Sequence, residues 1–317
     1  MTAPVIVTGG SGWLGHALVK ALEADGRPLR VFQGDVRDPV AVAQLFDGMQ
    51  GASVFHCAGV IHPLRATREF FDVNVGGTSL VLDHARRAGV GRLTYVSSNS
   101  PFGYRRSPAE TFDEAAPYNP HLGYGVSKME AEQLVLRAGA HGALHTVVVR
   151  APWFYGPGQP ERQTRFFRAI RRGLFPLFGP GTNRRSLVYT DNLVDGLLRA
   201  DAAGASGRSY WIADARPVTM AEVHDSVRRA LAAEGLETTS RQLRLPGFLC
   251  EVAGWADTLA QKAGRYVQPV HVLSEMNKTI ACTIDRARDE LGYEPRVDLD
   301  EGMRRSVRWC IDQGIEL

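Results

Sequence analysis

Apolar residues along the first half of the chain fall into two alternating patterns. Short runs rich in β-branched residues read as strands: Val5-Ile6-Val7, Leu29-Arg30-Val31-Phe32, Ser53-Val54-Phe55-His56-Cys57, Arg92-Leu93-Thr94-Tyr95-Val96 and Thr146-Val147-Val148-Val149-Arg150. Amphipathic stretches between them read as helices. These are Trp13 to Ala24, ended by Asp25-Gly26; Pro39 to Met49, with Val40, Val42 and Leu45-Phe46 on one face; Phe71 to Ala88, closed by Gly89; and Tyr124 to Ala138. Strands apolar throughout, separated by such helices, predict an α/β fold: a doubly wound parallel sheet of Rossmann type, covered on both faces. After Pro152 the pattern loosens into Tyr155-Gly156-Pro157-Gly158 and Phe178-Gly179-Pro180-Gly181. One more strand follows at Ser209-Tyr210-Trp211-Ile212, and helices dominate to the C-terminus. The expected division is a Rossmann domain of residues 1–152 plus about 184–214, and a smaller, mostly helical lobe of 153–183 and 215–317. No internal repeat or flexible linker interrupts them, so the two lobes are expected to pack together.

Composition narrows the function classes. The 317 residues are 44% hydrophobic and 22% charged, a globular balance that excludes collagen-like and disordered readings. Thirty-seven Lys+Arg against 34 Asp+Glu leave a net charge of +3, too small and too scattered for a nucleic-acid footprint. Cys57, Cys250, Cys282 and Cys310 form no CxxC pair, so reduced thiols are expected, with neither a disulfide frame nor a zinc site. Nine scattered histidines lack metal-type spacing, and no metal is expected. Met1 runs almost at once into the first strand, leaving no room for a signal peptide, and no run of about 18 apolar residues occurs. A cytoplasmic protein without a membrane span is expected. The most apolar late stretch, Leu245 to Ala260, is broken by Glu251 and Asp257; it is read as a buried domain helix in preference to an amphipathic surface one.

Two motifs carry chemistry. Thr8-Gly9-Gly10-Ser11-Gly12-Trp13-Leu14-Gly15 joins the first strand to the first helix with glycines at G-x-x-G-x-x-G spacing. Gly9 permits the tight turn, Gly12 the approach of a pyrophosphate, and Gly15 close packing of the helix, whose free N–H groups and dipole favour an anion. In this strand–turn–helix context the motif reads as dinucleotide binding. The second motif is Tyr124-Gly125-Val126-Ser127-Lys128, where a phenol and an ammonium share a helix face four residues apart. The ammonium is expected to lower the tyrosine pKa towards neutrality, letting Tyr124 exchange a proton with a substrate hydroxyl. Ser98, just past a strand whose C-terminal end faces the ligand crevice, is placed to hydrogen-bond the reacting oxygen; Ser97 is read as structural.

These residues resemble the extended short-chain dehydrogenases/reductases, specifically the NAD-dependent epimerase/dehydratase group. Further matches run along almost the whole chain: Gly34-Asp35-Val36-Arg37-Asp38, Phe55-His56-Cys57-Ala58-Gly59, Asn74-Val75-Gly76-Gly77-Thr78, Arg185-Ser186-Leu187-Val188-Tyr189-Thr190-Asp191-Asn192 and Glu290-Leu291-Gly292-Tyr293-Glu294-Pro295. The resemblance implies NAD as cofactor, with NADP not excluded. Gly9, Gly12 and Gly15 would hold its pyrophosphate, with Trp13 and Leu14 also binding the cofactor; Asp35 would meet its adenine, with Val36 beside it, and Ala58 and Gly59 would line its path. Pro152 would border the nicotinamide, and Lys128 would hold the nicotinamide ribose and tune Tyr124. Tyr124, Lys128 and Ser98 would be catalytic. Ser100, Trp153 and Arg185 would face the substrate, Arg185 gripping a diphosphate with its fork of donors.

Two departures from the family pattern stand out. Family members usually carry a strand–helix unit between the first helix and the Gly-Asp loop, and its strand tip reads the adenosine ribose; here only Gly26 to Gln33 intervenes. By spacing alone, Asp35 lies about 20 residues after Gly15, where a Rossmann fold places its ribose acid, while its flanking residues fit the adenine loop better. Many sugar-nucleotide epimerases also have an asparagine where this chain has Trp153. Its run Arg150-Ala151-Pro152-Trp153-Phe154-Tyr155 resembles the hydroxysteroid-dehydrogenase-like branch, and Trp153-Phe154 reads equally as a surface for an apolar substrate or as core packing.

His56 is read as core. His62, Arg65 and Arg68 fall in a substrate-side loop, and Arg162, Arg165, Arg168, Arg171 and Arg172 form mainly a solvated helix face, a few within reach of an anionic substrate. The leading expectation is a nucleotide-sugar 4-epimerase, a homodimer through the helices of Phe71 to Ala88 and Tyr124 to Ala138. The alternatives are an NAD(P)-dependent dehydrogenase or reductase of a steroid-like or other apolar alcohol, and a non-catalytic cofactor-sensing protein.

Overall fold

A computed structural model describes residues 3–63, 66–105, 107, 109–142 and 144–317. The first half runs β1 (Val5–Thr8), α1 (Trp13–Ala24), β2 (Leu29–Phe32), α2 (Pro39–Leu45), β3 (Ser53–His56), α3 (Arg68–Phe71), a π-helical turn (Asp72–Gly77), α4 (Thr78–Arg87), β4 (Arg92–Ser98), α5 (Leu122–Ala140) and β5 (Thr146–Ala151). Then come β6 (Trp153–Tyr155), α6 (Glu161–Arg171), β7 (Leu177–Phe178), β8 (Arg184–Arg185), β9 (Leu187–Tyr189), α7 (Thr190–Ala203) and β10 (Arg208–Trp211). The chain ends with β11 (Val218–Thr219), α8 (Met220–Ala233), β12 (Arg244–Leu245), α9 (Phe248–Lys262), α10 (Gln268–Glu275), α11 (Asp285–Leu291) and α12 (Leu299–Asp312).

Six strands make one parallel sheet in the order β2-β1-β3-β4-β5-β10. Val5, Ile6 and Val7, like Val147, Val148 and Val149, are fully buried because helices cover both faces. On one side α1, α7 and α11 contribute Leu18, Leu22, Leu197 and Leu291 to a core. On the other, α2, α4 and α5 contribute Val42, Val81, Ala131 and Val135. A third core gathers β6, β9, α6, α8 and α12 around Tyr155, Phe167, Val227 and Val307. The strand order turns back beside β1, so the ligand crevice lies outside the C-terminal ends of β1, β3 and β4.

The strand–helix unit characteristic of the family is absent from this sheet. The chain passes from α1 straight into β2, which pairs with β1 (Thr8 opposite Phe32) and forms the sheet edge. Three sequence expectations need correction. The second helix stops at Leu45, because the chain turns through Gly48 at φ +67°, although Phe46 and Met49 stay buried. The helix expected from Phe71 to Ala88 is interrupted by the π turn at Asp72–Gly77, where Asn74 bonds sideways instead of facing solvent. The stretch Leu245 to Ala260 is not a buried helix: α9 covers α10 with Cys250, Ala253 and Asp257, and its opposite face is open, Trp255 being 76% exposed.

Beneath the crevice, Arg150 of β5 and Glu132 of α5 form a fully buried ion pair, Nη2 to Oε1 2.8 Å and Nε to Oε1 3.0 Å. Tyr118 Oη donates to the same carboxylate at 2.9 Å, and Ser97 Oγ donates to its other oxygen, which gives Ser97 the structural role expected of it. The Arg150 guanidinium also lies 4.3 Å from the centre of the Phe102 ring. Removing one partner strands the other charge without water. Glu132→Ala is therefore expected to lower unfolding free energy by about 3–5 kcal/mol, measured by urea denaturation. A loss under about 1 kcal/mol would show the pair to be dispensable.

Candidate active site

The phosphate loop fits a dinucleotide. Gly9 has φ +71°, and a Cβ there would lie 2.7 Å from the Ala58 backbone nitrogen; a Cβ at Gly15 would lie 2.1 Å from the Gly9 carbonyl oxygen. Gly12 is the N-cap of α1, with no side-chain cap and no acid in the first turn, so the helix terminus is free to face an anion. Beyond the Gly9 oxygen at 3.3 Å, a Cβ at Gly12 would meet nothing within 4 Å, which leaves the space a pyrophosphate needs. The Trp13 side chain turns away, donating to Pro157 O at 2.7 Å, and Leu14 is core, so these two can serve the loop only through their backbones.

Ala58 and Gly59 follow β3 and stand beside the loop, the Ala58 nitrogen 3.4 Å from Thr8 Oγ1. Asp35 comes three residues after the end of β2, next to β1, at the place of the ribose acid in a Rossmann sheet. Val36 is buried and packs against Gly77, towards the π turn. Asp35 is held below the usual carboxylate range by its hydrogen bonds from Arg37, whose Nε lies 2.9 and 3.0 Å from its two oxygens.

Tyr124 stands in the first turns of α5, facing the end of β4. A hydrogen bond links it to Ser98, whose Oγ is 3.3 Å from Ser100 Oγ and from the Ser100 backbone nitrogen. The residue is half-buried and lines a cavity. Burial pushes the phenol up to about 12, against the opposing pull of the Ser98 hydrogen bond and the Arg162 charge. This corrects the expectation that Lys128 holds Tyr124 near neutrality. Lys128 Nζ instead donates to Val96 O at 2.7 Å and lies 4.3 Å from the centre of the Tyr95 ring; burial pushes it down to about 7, with Glu132 opposing. Pro152 follows the Ala151 that pairs with Ser98, and so sits beside the same strand end.

Three groups that hold this arrangement are not singled out as site residues by the sequence. Asn74, aimed inward by the π turn, donates to Ser127 Oγ at 3.0 Å, and Ser127 Oγ donates to Tyr124 O at 2.9 Å. The Asn-Val-Gly-Gly-Thr match is the available signal. Gln261 of α9 accepts from the Gly123 backbone N–H at 3.1 Å and donates to buried Asp257, which receives His271 Nδ1 at 2.7 Å. No sequence spacing links α9 to α5. Arg162, placed on a solvated face by periodicity, lies close enough for its charge to act on Tyr124.

The cavity beside Tyr124 has a volume of about 220 Å³ and is lined by Ser100, Tyr104 and His121, by Cys250, Glu251, Gly254 and Trp255 of α9, by His271 of α10, and by Lys278 just beyond it. On its other flank Phe70 packs on Tyr124 and on Tyr266, whose hydroxyl is 2.7 Å from His62 Nδ1. Arg185 is not among the lining residues. Its guanidinium donates to the Glu275 carbonyl, and its Nε is buried without a partner among the described residues. Trp153 also lies away from the cavity, packed edge-on against Phe166 at 5.6 Å. His56 is core, between Thr8 and Thr78 hydroxyls. Arg65 lies outside the described residues.

Sheet, phosphate loop and Tyr–Lys–Ser constellation together define a dinucleotide-dependent enzyme of the extended short-chain dehydrogenase/reductase type. The chain belongs to the NAD dependent epimerase/dehydratase family, whose model matches residues 5–213. It is 40% identical to the protein y4nL of Sinorhizobium fredii over 346 positions (99% of this chain, 97% of that one). It is 28% identical to the 2-alkyl-3-oxoalkanoate reductase of Stenotrophomonas maltophilia (95% and 97%), and 30% identical to the 3 beta-hydroxysteroid dehydrogenase/Delta 5-->4-isomerase of Mycobacterium tuberculosis (97% and 90%). Among solved structures, the UDP-glucose 4-epimerase of Thermotoga maritima with UDP-glucose superposes with a TM-score of 0.79 at 20% identity, covering 98% of this chain and 99% of that one, a likeness of fold.

Gly125 lets α5 approach the β4 end: a Cβ there would lie 2.7 Å from Ser100 O. Gly125→Ala is expected to shift Tyr124 relative to Ser98 and lower kcat by about 10²-fold. Unchanged kcat would mean that this contact does not position the phenol.

Proposed function

We propose that this enzyme reduces a ketone on an apolar substrate with NAD(P)H and catalyses the reverse oxidation of the alcohol. One observation supports the reading above others: the cavity at Tyr124 is walled by Cys250, Gly254 and Trp255, while Arg185 is turned to the Glu275 carbonyl and is not among its lining residues. A dinucleotide held at the phosphate loop would supply the hydride for the carbonyl carbon. Tyr124 gives its proton to the carbonyl oxygen, and Ser98, supported by Ser100, orients that oxygen. Lys128 would hold ribose hydroxyls of the dinucleotide. Asn74, through Ser127, and Gln261, through Gly123, fix the start of α5. The helices α9 and α10 line the cavity, and Cys250, Gly254 and Trp255 offer an apolar side to the substrate. In this reading the C-terminal elements are the substrate lobe and Asp35 takes the ribose role. The kinship with a 2-alkyl-3-oxoalkanoate reductase and a hydroxysteroid dehydrogenase points the same way.

Nucleotide-sugar 4-epimerisation is the second reading, favoured by the charge of Arg162 beside Tyr124, which would suit a diphosphate. Arg185 offers it little support, being turned to the Glu275 carbonyl.

The two readings separate in one assay. With a long-chain 3-ketone or a 3-ketosteroid, nicotinamide absorbance is expected to fall steadily. Conversion of UDP-glucose to UDP-galactose without net absorbance change would overturn the reductase reading. Tyr124→Phe is expected to lower kcat about 10²–10⁴-fold while dinucleotide binding, followed by fluorescence, persists.

The pH dependence follows from the direction of the phenol shift. A phenol raised to about 12 stays protonated up to about pH 10, so Tyr124 does not limit reduction there. Oxidation needs the phenolate, whose fraction below that pKa grows tenfold per pH unit. Alcohol oxidation is therefore expected to accelerate from pH 7 to 10. An oxidation rate already at its plateau by pH 7 would contradict the protonation state assigned to Tyr124.

A further inference from the structure

The outer face of α9 is apolar and uncovered. Phe248, Val252, Trp255 and Leu259 recur at i, i+4, i+7 and i+11, on one side of the helix, and are 62, 55, 76 and 69% exposed. Val267 and Val272, just beyond, are also exposed. The acids on this helix are engaged: Glu251 pairs with Lys278, and Asp257 is buried against His271. The charges flanking the stripe are basic. Arg241 and Arg244 precede it and Lys262 and Arg265 follow it, all four exposed, with no ion-pair partner among the described residues.

We propose that this face of α9 docks on the surface of an anionic phospholipid bilayer. An amphipathic helix of 15 residues, about 22 Å long, can lie in the interface with its apolar side among the acyl chains while basic residues at both ends meet lipid phosphates. The same charges disfavour a second copy of this chain as the occupant. Any two-fold pairing of α9 places cations of one copy against cations of the other, Arg244 beside Lys262 when antiparallel and like beside like when parallel. No helix among the described residues is long and apolar enough to cross a membrane, so the contact is peripheral. Its consequence rests on the reductase reading. Trp255 belongs to both the exposed stripe and the lining of the cavity at Tyr124, so the docked face opens that cavity towards the lipid, where an apolar ketone is concentrated.

The test uses the full-length protein and sedimentation with vesicles of phosphatidylcholine alone or with a third of phosphatidylglycerol, without substrate, so its outcome does not depend on the reaction catalysed. The expected result is pelleting with the anionic vesicles, weakened by salt. Exposed substitutions that leave the fold intact should separate the two components of binding. Phe248→Ser with Leu259→Ser should lower partitioning at least tenfold, and Lys262→Gln with Arg265→Gln roughly 30-fold. Turnover of a short water-soluble ketone should be unchanged in both. A tryptophan blue shift on adding vesicles should vanish in Trp255→Phe. Absence of pelleting, or pelleting indifferent to both double variants, overturns the proposal. So does a dimer that Phe248→Ser with Leu259→Ser converts to monomer in the absence of lipid, which would give the face to a second copy.

Discussion

Enclosure of one phenol at the start of α5 is the constraint on which the site depends. Tyr124 must leave the helix facing the end of β4, close enough to bond Ser98 yet away from water, and that demand reaches into several elements. Gly125 gives up its side chain so that the helix can touch the Ser100 backbone. Asn74 reaches the carbonyl of Tyr124 through Ser127. Gln261, on a helix more than a hundred residues further along the chain, accepts the N–H of Gly123. Below them the buried Arg150–Glu132 pair ties α5 to β5, a costly device unless the carboxylate is fully satisfied, as Tyr118 and Ser97 make it here.

The electrostatic state of the site follows from the same enclosure. Desolvation disfavours charge on both members of the Tyr–Lys pair, moving the phenol up and the amine down. A shared helix face does not by itself make Lys128 the partner of Tyr124: the lysine nitrogen donates to the Val96 carbonyl and lies over the Tyr95 ring. The enclosure thus disfavours the phenolate, the form that would accept a proton, and leaves Tyr124 as a donor at rest.

Much of this architecture is legible in the sequence because the sheet is buried on both sides. Apolar runs such as Thr146–Ala151 and the glycine spacing of the phosphate loop are local signals, and the six sheet strands fall where those signals lie. What is not legible depends on contacts between distant segments. At the π turn Asp72–Gly77, the inward direction of Asn74 is fixed by its bonds to Val60 and Ser127, partners distant in the sequence. Arg185 matches a family motif, yet its direction is set by a carbonyl in α10. The apolar content of α9 suggests burial, since hydropathy records that a helix has an apolar side but not whether the protein covers it. The short path from α1 to β2 is visible as missing length, and the structure shows its result: β2 beside β1, with Asp35 just past its tip.

The protonation state of Tyr124 can be read directly. With tyrosine labelled by ¹³C at the ring carbon bearing oxygen, the resonance lost in Tyr124→Phe identifies this residue in the free enzyme. This resonance is expected to keep the shift of a neutral phenol through pH 10. A phenolate shift at pH 7 would contradict it.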